Sequence, residues 1–183
     1  HRLIRRQRQM CIRDSLMAIS VVPDRELGEA LEVIARSEVD VLYLVDSFGA
    51  LYSEQVRDLT VTYLEALEGT GKEVGIHMHN NQQLAYANTI EGLILGASRL
   101  DATIAGLGRG AGNCPMELLV GFLKNPKFKL RPILQCIQEV MLPLQKELDW
   151  GYAIPYMITG QLNQLLPPAA GKLARYIGWR RGL

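Results

Sequence analysis

The sequence predicts an α/β fold in which strands and helices alternate through short connections. Short apolar runs of strand length are interleaved with segments of helical periodicity. Some of those runs are apolar on both faces, as strands buried between layers are. Polar residues gather where the strands end. Such alternation implies parallel strands joined by right-handed helical crossovers. In a (β/α) barrel the strand ends share one face, where active sites are built. A doubly wound open sheet gives the same alternation, and periodicity alone does not choose between them.

Size and composition set the frame. The 183 residues are 48% hydrophobic and 21% charged, with a net charge of +1, enough for one domain with a substantial core or for a piece of a larger one. This balance gives no push toward nucleic acid. Cys11, Cys114 and Cys136 are far apart and form no C-x-x-C pair, so the expected setting is reducing and cytoplasmic. No apolar run approaches the ~18 residues of a membrane span, and no signal-peptide pattern is present. The first fifteen residues carry five arginines against one aspartate. A basic arm for RNA or an anionic membrane is one reading. The stretch also resembles translated adapter read-through and does not begin with Met. Residues 1–15 are therefore set aside as a non-native scar.

From there the elements follow in order. A strand is expected over Leu16–Val22, then a helix opened by Pro23 and Asp24 and running Arg25–Arg36, with Leu27, Leu31 and Ile34 on one face. The strand Val39–Val45 ends in Asp46-Ser-Phe-Gly49. A helix from Ser53 stops at Gly69–Gly71. The strand from Glu73 runs into the polar end His79-Asn80-Asn81, and a helix spans Gln82–Gly96. Next come the strand Arg99–Ala105, a glycine loop Gly106–Asn113 and a helix Pro115–Lys124. These four units occupy 16–125. Residues 126–183 read as a helical extension: Leu130–Leu144 is a helix that Pro143 bends or divides, and Trp150–Asn163 is a loop entering a short helix.

The candidate site centres on His77 and His79. Strand geometry puts both on one face, about 6.5 Å apart along the backbone. Two imidazoles so placed can converge on one divalent ion, completed by an oxygen ligand and open positions. The alternative is a pair of ordinary strand histidines. Ser20, Asp46 and Ser47 lie at the other strand ends. Asp46 is a metal ligand, a base or, as is commoner, a hydrogen-bond acceptor for nearby backbone. Asp101 is expected to hold its neighbours by hydrogen bonds. The glycine loop matches G-x-G-x-x-A over Gly106, Gly108 and Ala111, but no acidic residue follows ~20 positions on, so a nucleotide reading fails. Close approach of backbone to a ligand or metal fits better, with Asn113 offering an amide oxygen. On the alternative, a surface turn, Arg109 is simply solvated. Cys114 reads as buried rather than nucleophilic. Tyr152 and Tyr156 belong either to core packing or to a lid.

Together these residues carry a likeness. His77-Met-His79-Asn80, Ala87-Asn88-Thr89, Gly96, Asp101-Ala-Thr103, Ala105–Gly108 and Gly110–Asn113 resemble the metal-dependent lyase and synthase superfamily built on TIM barrels. Its members include 4-hydroxy-2-oxovalerate aldolase, 3-hydroxy-3-methylglutaryl-CoA lyase and isopropylmalate synthase. Val45-Asp-Ser-Phe-Gly49 resembles the aldolase branch. The resemblance implies that 16–125 is the C-terminal half of a TIM barrel, about four βα units, in a truncated copy that is inactive alone. It implies that His77 and His79 hold Mn²⁺ or Mg²⁺ together with an aspartate. That aspartate, an arginine and the base belong to a first strand that has no counterpart here. It implies binding roles for Ser20, Asp46 and Asn113 and catalytic roles for Tyr152 and Tyr156.

The implied reaction, of the kind used in aromatic catabolism, cleaves a 4-hydroxy-2-oxo acid to pyruvate and an aldehyde. An aldehyde dehydrogenase partner and a homo-oligomer go with it. The alternatives are an acyl-CoA Claisen-type synthase or lyase, and an inactive metal-binding fragment. The tail after Gln164 departs from the resemblance, as a frameshift would make it.

Overall fold

The computed structural model describes residues 12–123, 128–148 and 150–164. Strands β1 (Arg13–Leu16), β2 (Val41–Asp46), β3 (Glu73–Met78) and β4 (Arg99–Leu100) lie side by side in chain order, all parallel. Helices α1 (Asp24–Ala35), α2 (Ser53–Ala66) and α3 (Ala85–Leu95) connect them, and α4 (Met116–Leu123) follows β4. An open doubly wound sheet reverses its strand order at a switch point; these four strands run without one, as in a barrel wall. The architecture is α/β, four βα units of a TIM-type barrel.

Two different surfaces clothe the sheet. On the helix side Leu42, Leu44, Val74, Ile76 and Met78 pack with Leu27, Leu31 and Ile34 of α1 and Val56 and Tyr63 of α2. The 27/31/34 spacing is one stripe of α1, and Asp24 and Glu26 in its first turn suit the positive end of the helix dipole. On the opposite face Val41, Tyr43 and Val45 form a separate small cluster. All six residues of β2 are buried, so this strand is covered on both faces, as its doubly apolar sequence requires.

Two strands differ from the sequence reading. The strand expected over Leu16–Val22 lies earlier, at Arg13–Leu16, paired from Arg13↔Val41 to Leu16↔Leu44. Ala18 takes a left-handed conformation (φ 54), which ends the extended chain, and Ile19–Val21 form a 3-10 turn. Arg13–Ser15, set aside as foreign to the fold, are therefore part of this sheet. Residues 1–11 of that stretch lie outside the described residues. The strand expected over Arg99–Ala105 is only two residues long. Ala105 is again left-handed (φ 54), and Thr103 bridges to Pro115 instead of continuing along β3.

The extension comprises α5 (Leu130–Cys136), a π turn (Ile137–Met141), α6 (Leu142–Gln145) and α7 (Ile154–Gln161). Pro143 leaves the helical run over 130–145 unbroken but changes its winding. It has no N–H to offer the carbonyl of Glu139, and the turn before it widens, Leu142 N donating to Ile137 O. The extension is tied to the sheet's C-terminal rim. Trp150 Nε1 donates to Ala105 O (3.1 Å), Gly151 N to Gly110 O (3.0 Å), and Asn81 Nδ2 to Tyr156 O and Thr159 Oγ1 (3.1 Å each). At Gly160 a Cβ would sit 2.8 Å from Gln82 Cγ, so α7 approaches this rim as closely as only glycine allows. The tail from 165 lies outside the described residues.

Candidate functional site

β3 carries His77 inside the ladder, opposite Val45 of β2, and His79 just past its end. The glycine loop closes on that end. Cys114 N donates to Met78 O, His79 bridges antiparallel to Asn113, and Asn80 N donates to Gly112 O. His79 N also reaches Asp46 O at 3.3 Å, which ties the tips of β2 and β3 together. The two imidazoles lie with ring centroids 5.3 Å apart and planes inclined by 63°. The sheet thus brings the two histidines onto one face, as the alternate spacing requires.

Their surroundings set their chemistry. His77 Nδ1 lies 3.1 Å from Asp101 Oδ2. With Nδ1 protonated toward that carboxylate, Nε2 keeps its lone pair for a ligand. Burial, then the neighbouring His77 and Arg109, pull the His79 pKa down to about 4, so its ring is neutral at neutral pH. Tyr43 shares the inner face, its phenol pushed up by burial and then by the charge of Asp101. A Cβ at Gly75 would lie 2.6 Å from the Tyr43 ring. That glycine is what lets the ring lie across β3 beside His77. These groups line a cavity of about 310 Å³ together with Arg13 and Asp14 of β1.

The other sequence candidates are placed differently. Asp46 is 1% exposed, and its carboxylate accepts from Ala50 N (3.1 Å) and Leu51 N (3.0 Å). Burial raises its pKa against these backbone donors. It braces the loop after β2, the commoner use anticipated for it, and does not line the cavity. Ser20 Oγ donates to Asn163 Oδ1 (2.5 Å) and Asn163 Nδ2 returns to Ser20 O (2.9 Å), which joins the first βα unit to the extension. Asn113 sits beside His79; its Nδ2 donates to Leu107 O, and its Oδ1 is buried with no hydrogen-bond partner. Tyr156 packs on Gly110 and lines a second hollow of about 60 Å³ with Ser47, Asn81, Arg109 and Thr159. Tyr152 is 60% exposed and lines neither hollow. Cys114 is fully buried, and burial raises its thiol, consistent with an inert packing role.

Sequence reasoning missed Arg13 and Asp14, which lay in the stretch set aside, and Tyr43, which read as one more apolar strand residue. Gly75 was the available signal for Tyr43: a glycine inside a strand marks close approach of a neighbour. Among the described residues no group of three or more His, Cys, Asp or Glu gathers as a metal set. His77 and His79 present two imidazoles on one face, with Asp101 against the Nδ1 of His77.

A parallel barrel wall with paired histidines and a glycine loop at its C-terminal rim defines a TIM-barrel enzyme site. The HMGL-like family model matches residues 3–141, and the chain belongs to the HMGL-like family. It is 37% identical over 133 residues to the 4-hydroxy-2-oxovalerate aldolase of Thermus thermophilus, covering 70% of this chain and 38% of that protein. It is 35% identical over 154 residues to the 4-hydroxy-2-oxovalerate aldolase of Geobacillus stearothermophilus, covering 77% and 44%. The chain thus spans less than half the length of these curated relatives. Its fold is also that of an HMG-CoA lyase from Acinetobacter baumannii solved with coenzyme A and 3-methylmalate (TM-score 0.66, 20% identity, 91% of this chain and 58% of that one). Among the described residues no helix is long and apolar enough to cross a membrane.

Proposed function

We propose that this chain carries part of the active site of a divalent-metal-dependent aldolase that cleaves a 4-hydroxy-2-oxo acid to pyruvate and an aldehyde. The observation that carries the reading is the convergence of His77 and His79 at the strand ends, His77 supported by Asp101. The curated relatives named 4-hydroxy-2-oxovalerate aldolase supply the reaction class.

His77 Nε2 and the neutral ring of His79 would hold the cation, commonly Mn²⁺ or Mg²⁺ in such sites. When bound, it would supply Lewis acidity toward a substrate's keto oxygen. Asp101 fixes the His77 ring in the orientation that presents Nε2. Tyr43 and Val45 exclude water from the inner wall of the cavity, which strengthens each electrostatic contact within it. Tyr156, which lines the smaller hollow, would meet a substrate from the extension, whereas Asn113, its amide oxygen buried and its Nδ2 bonded to Leu107 O, would hold the glycine loop against His79.

Two measurements test this. Mn²⁺ affinity, read by electron paramagnetic resonance, should fall at least about tenfold in His77→Ala and in His79→Ala separately, and about 10–100-fold in Asp101→Ala. In a protein in which further βα units complete the barrel, pyruvate release from a 4-hydroxy-2-oxo acid should require Mn²⁺ and stop with chelator. Full metal occupancy in either histidine variant, or turnover confined to acyl-CoA substrates, would remove the aldolase reading.

A further inference from the structure

Arg109 enters the site described so far only through its charge, felt at His79, and as one wall of the smaller hollow. It stands on the glycine loop after β4, yet its Nη2 donates to Ser47 O at the end of β2, 3.0 Å away. β3 lies between those two strands, so the side chain crosses the end of β3. Among the described residues no carboxylate pairs with it. A guanidinium has five N–H donors in a planar fork suited to a carboxylate, and one is spent on Ser47. The remainder serve the smaller hollow, walled by Tyr156, Phe48 and Asn81. That hollow and the histidine cavity have no lining residue in common. The positive charge of Arg109 is nevertheless felt at His79, so a molecule held at the histidines by one end would have its other end within the field of Arg109.

We propose that Arg109 is the subsite for a second carboxylate, so that the substrate is a dicarboxylic 4-hydroxy-2-oxo acid whose aldehyde half bears the charge. The inference rests on the aldolase reading for its substrate class. The anion subsite stands on the geometry of Arg109 alone.

The test uses the 183-residue chain and a matched pair of five-carbon probes, 2-oxoglutarate and 2-oxovalerate, which differ by one carboxylate. Titration calorimetry with Mn²⁺ present should show 2-oxoglutarate binding about tenfold tighter, as one charge-assisted contact supplies. At saturating Mn²⁺, Arg109→Gln should abolish that preference while leaving 2-oxovalerate affinity unchanged, and Arg109→Lys should keep part of it. Glutarate, which lacks the keto oxygen, is titrated into metal-free protein as well. Arg109-dependent glutarate binding there supports the subsite even if Mn²⁺ binding fails and the aldolase reading falls. An unchanged preference in Arg109→Gln overturns the proposal. So does an equal loss for both oxo acids, since the arginine would then only hold its loop in place.

Discussion

At the scale of single residues, the site depends on a void kept open by Gly75. The Tyr43 ring occupies the space where a side chain at position 75 would stand, 2.6 Å from its nearest carbons. Gly75→Ala must displace a ring that is 7% exposed and packed between Val41 and Val45. The expected cost is about 1–3 kcal/mol, read from urea unfolding midpoints. Replacing Tyr43 by Ala in the same chain should relieve the clash, so that the two changes together cost less than their sum. Strict additivity would mean that the ring does not lie over Gly75. The histidine pair itself was legible in the sequence, because a period of two is local. Arg109 was not: its reach to Ser47 spans 62 positions, and no local pattern records such a contact.

At the scale of elements, β4 shows how a two-residue strand keeps its register. Glu73, at the start of β3, receives Arg99 Nε and Nη2 and Ser98 Oγ at 2.6–2.8 Å. These donors, Arg99 first, hold the Glu73 carboxyl below its ordinary range. The unfolded chain then takes up the proton at higher pH than the folded one. The contribution is present above the ordinary glutamate pKa and lost as pH falls through the lower folded value. The stability gap between the native chain and Glu73→Gln should therefore shrink as pH is lowered from 7 toward 3. A gap that does not change with pH would show that this carboxylate does not secure β4. The order of elements was legible because helices and interior strands carry strong periodicity. β1 was not, since Arg-Asp-Ser-Leu at an exposed sheet edge has no apolar signal. β4 was overread because nothing in the sequence marks the left-handed turn at Ala105.

At the scale of the whole molecule, β1 and β4 each pair on one side only among the described residues. Unpaired parallel edges are free to recruit further strands, and a barrel wall of four strands has a face to cover as well as edges. Sedimentation of the purified 20.4 kDa chain should therefore show association, relieved when further βα units are supplied to close the wall. A soluble monomer with cooperative unfolding would contradict this.

The clasp of the extension on the glycine loop also gives the molecule an optical reporter. Trp150 is 6% exposed, and its indole N–H is bonded to Ala105, at the root of the loop that docks on His79. Replacing Trp179, which lies outside the described residues, by Phe leaves Trp150 as the sole indole fluorophore. Emission from that indole should then be quenched when paramagnetic Co²⁺ binds at the histidines and barely altered by diamagnetic Mg²⁺. The Co²⁺ quench should vanish in His77→Ala, which makes occupancy of the cavity readable from the light of a residue in a different part of the chain.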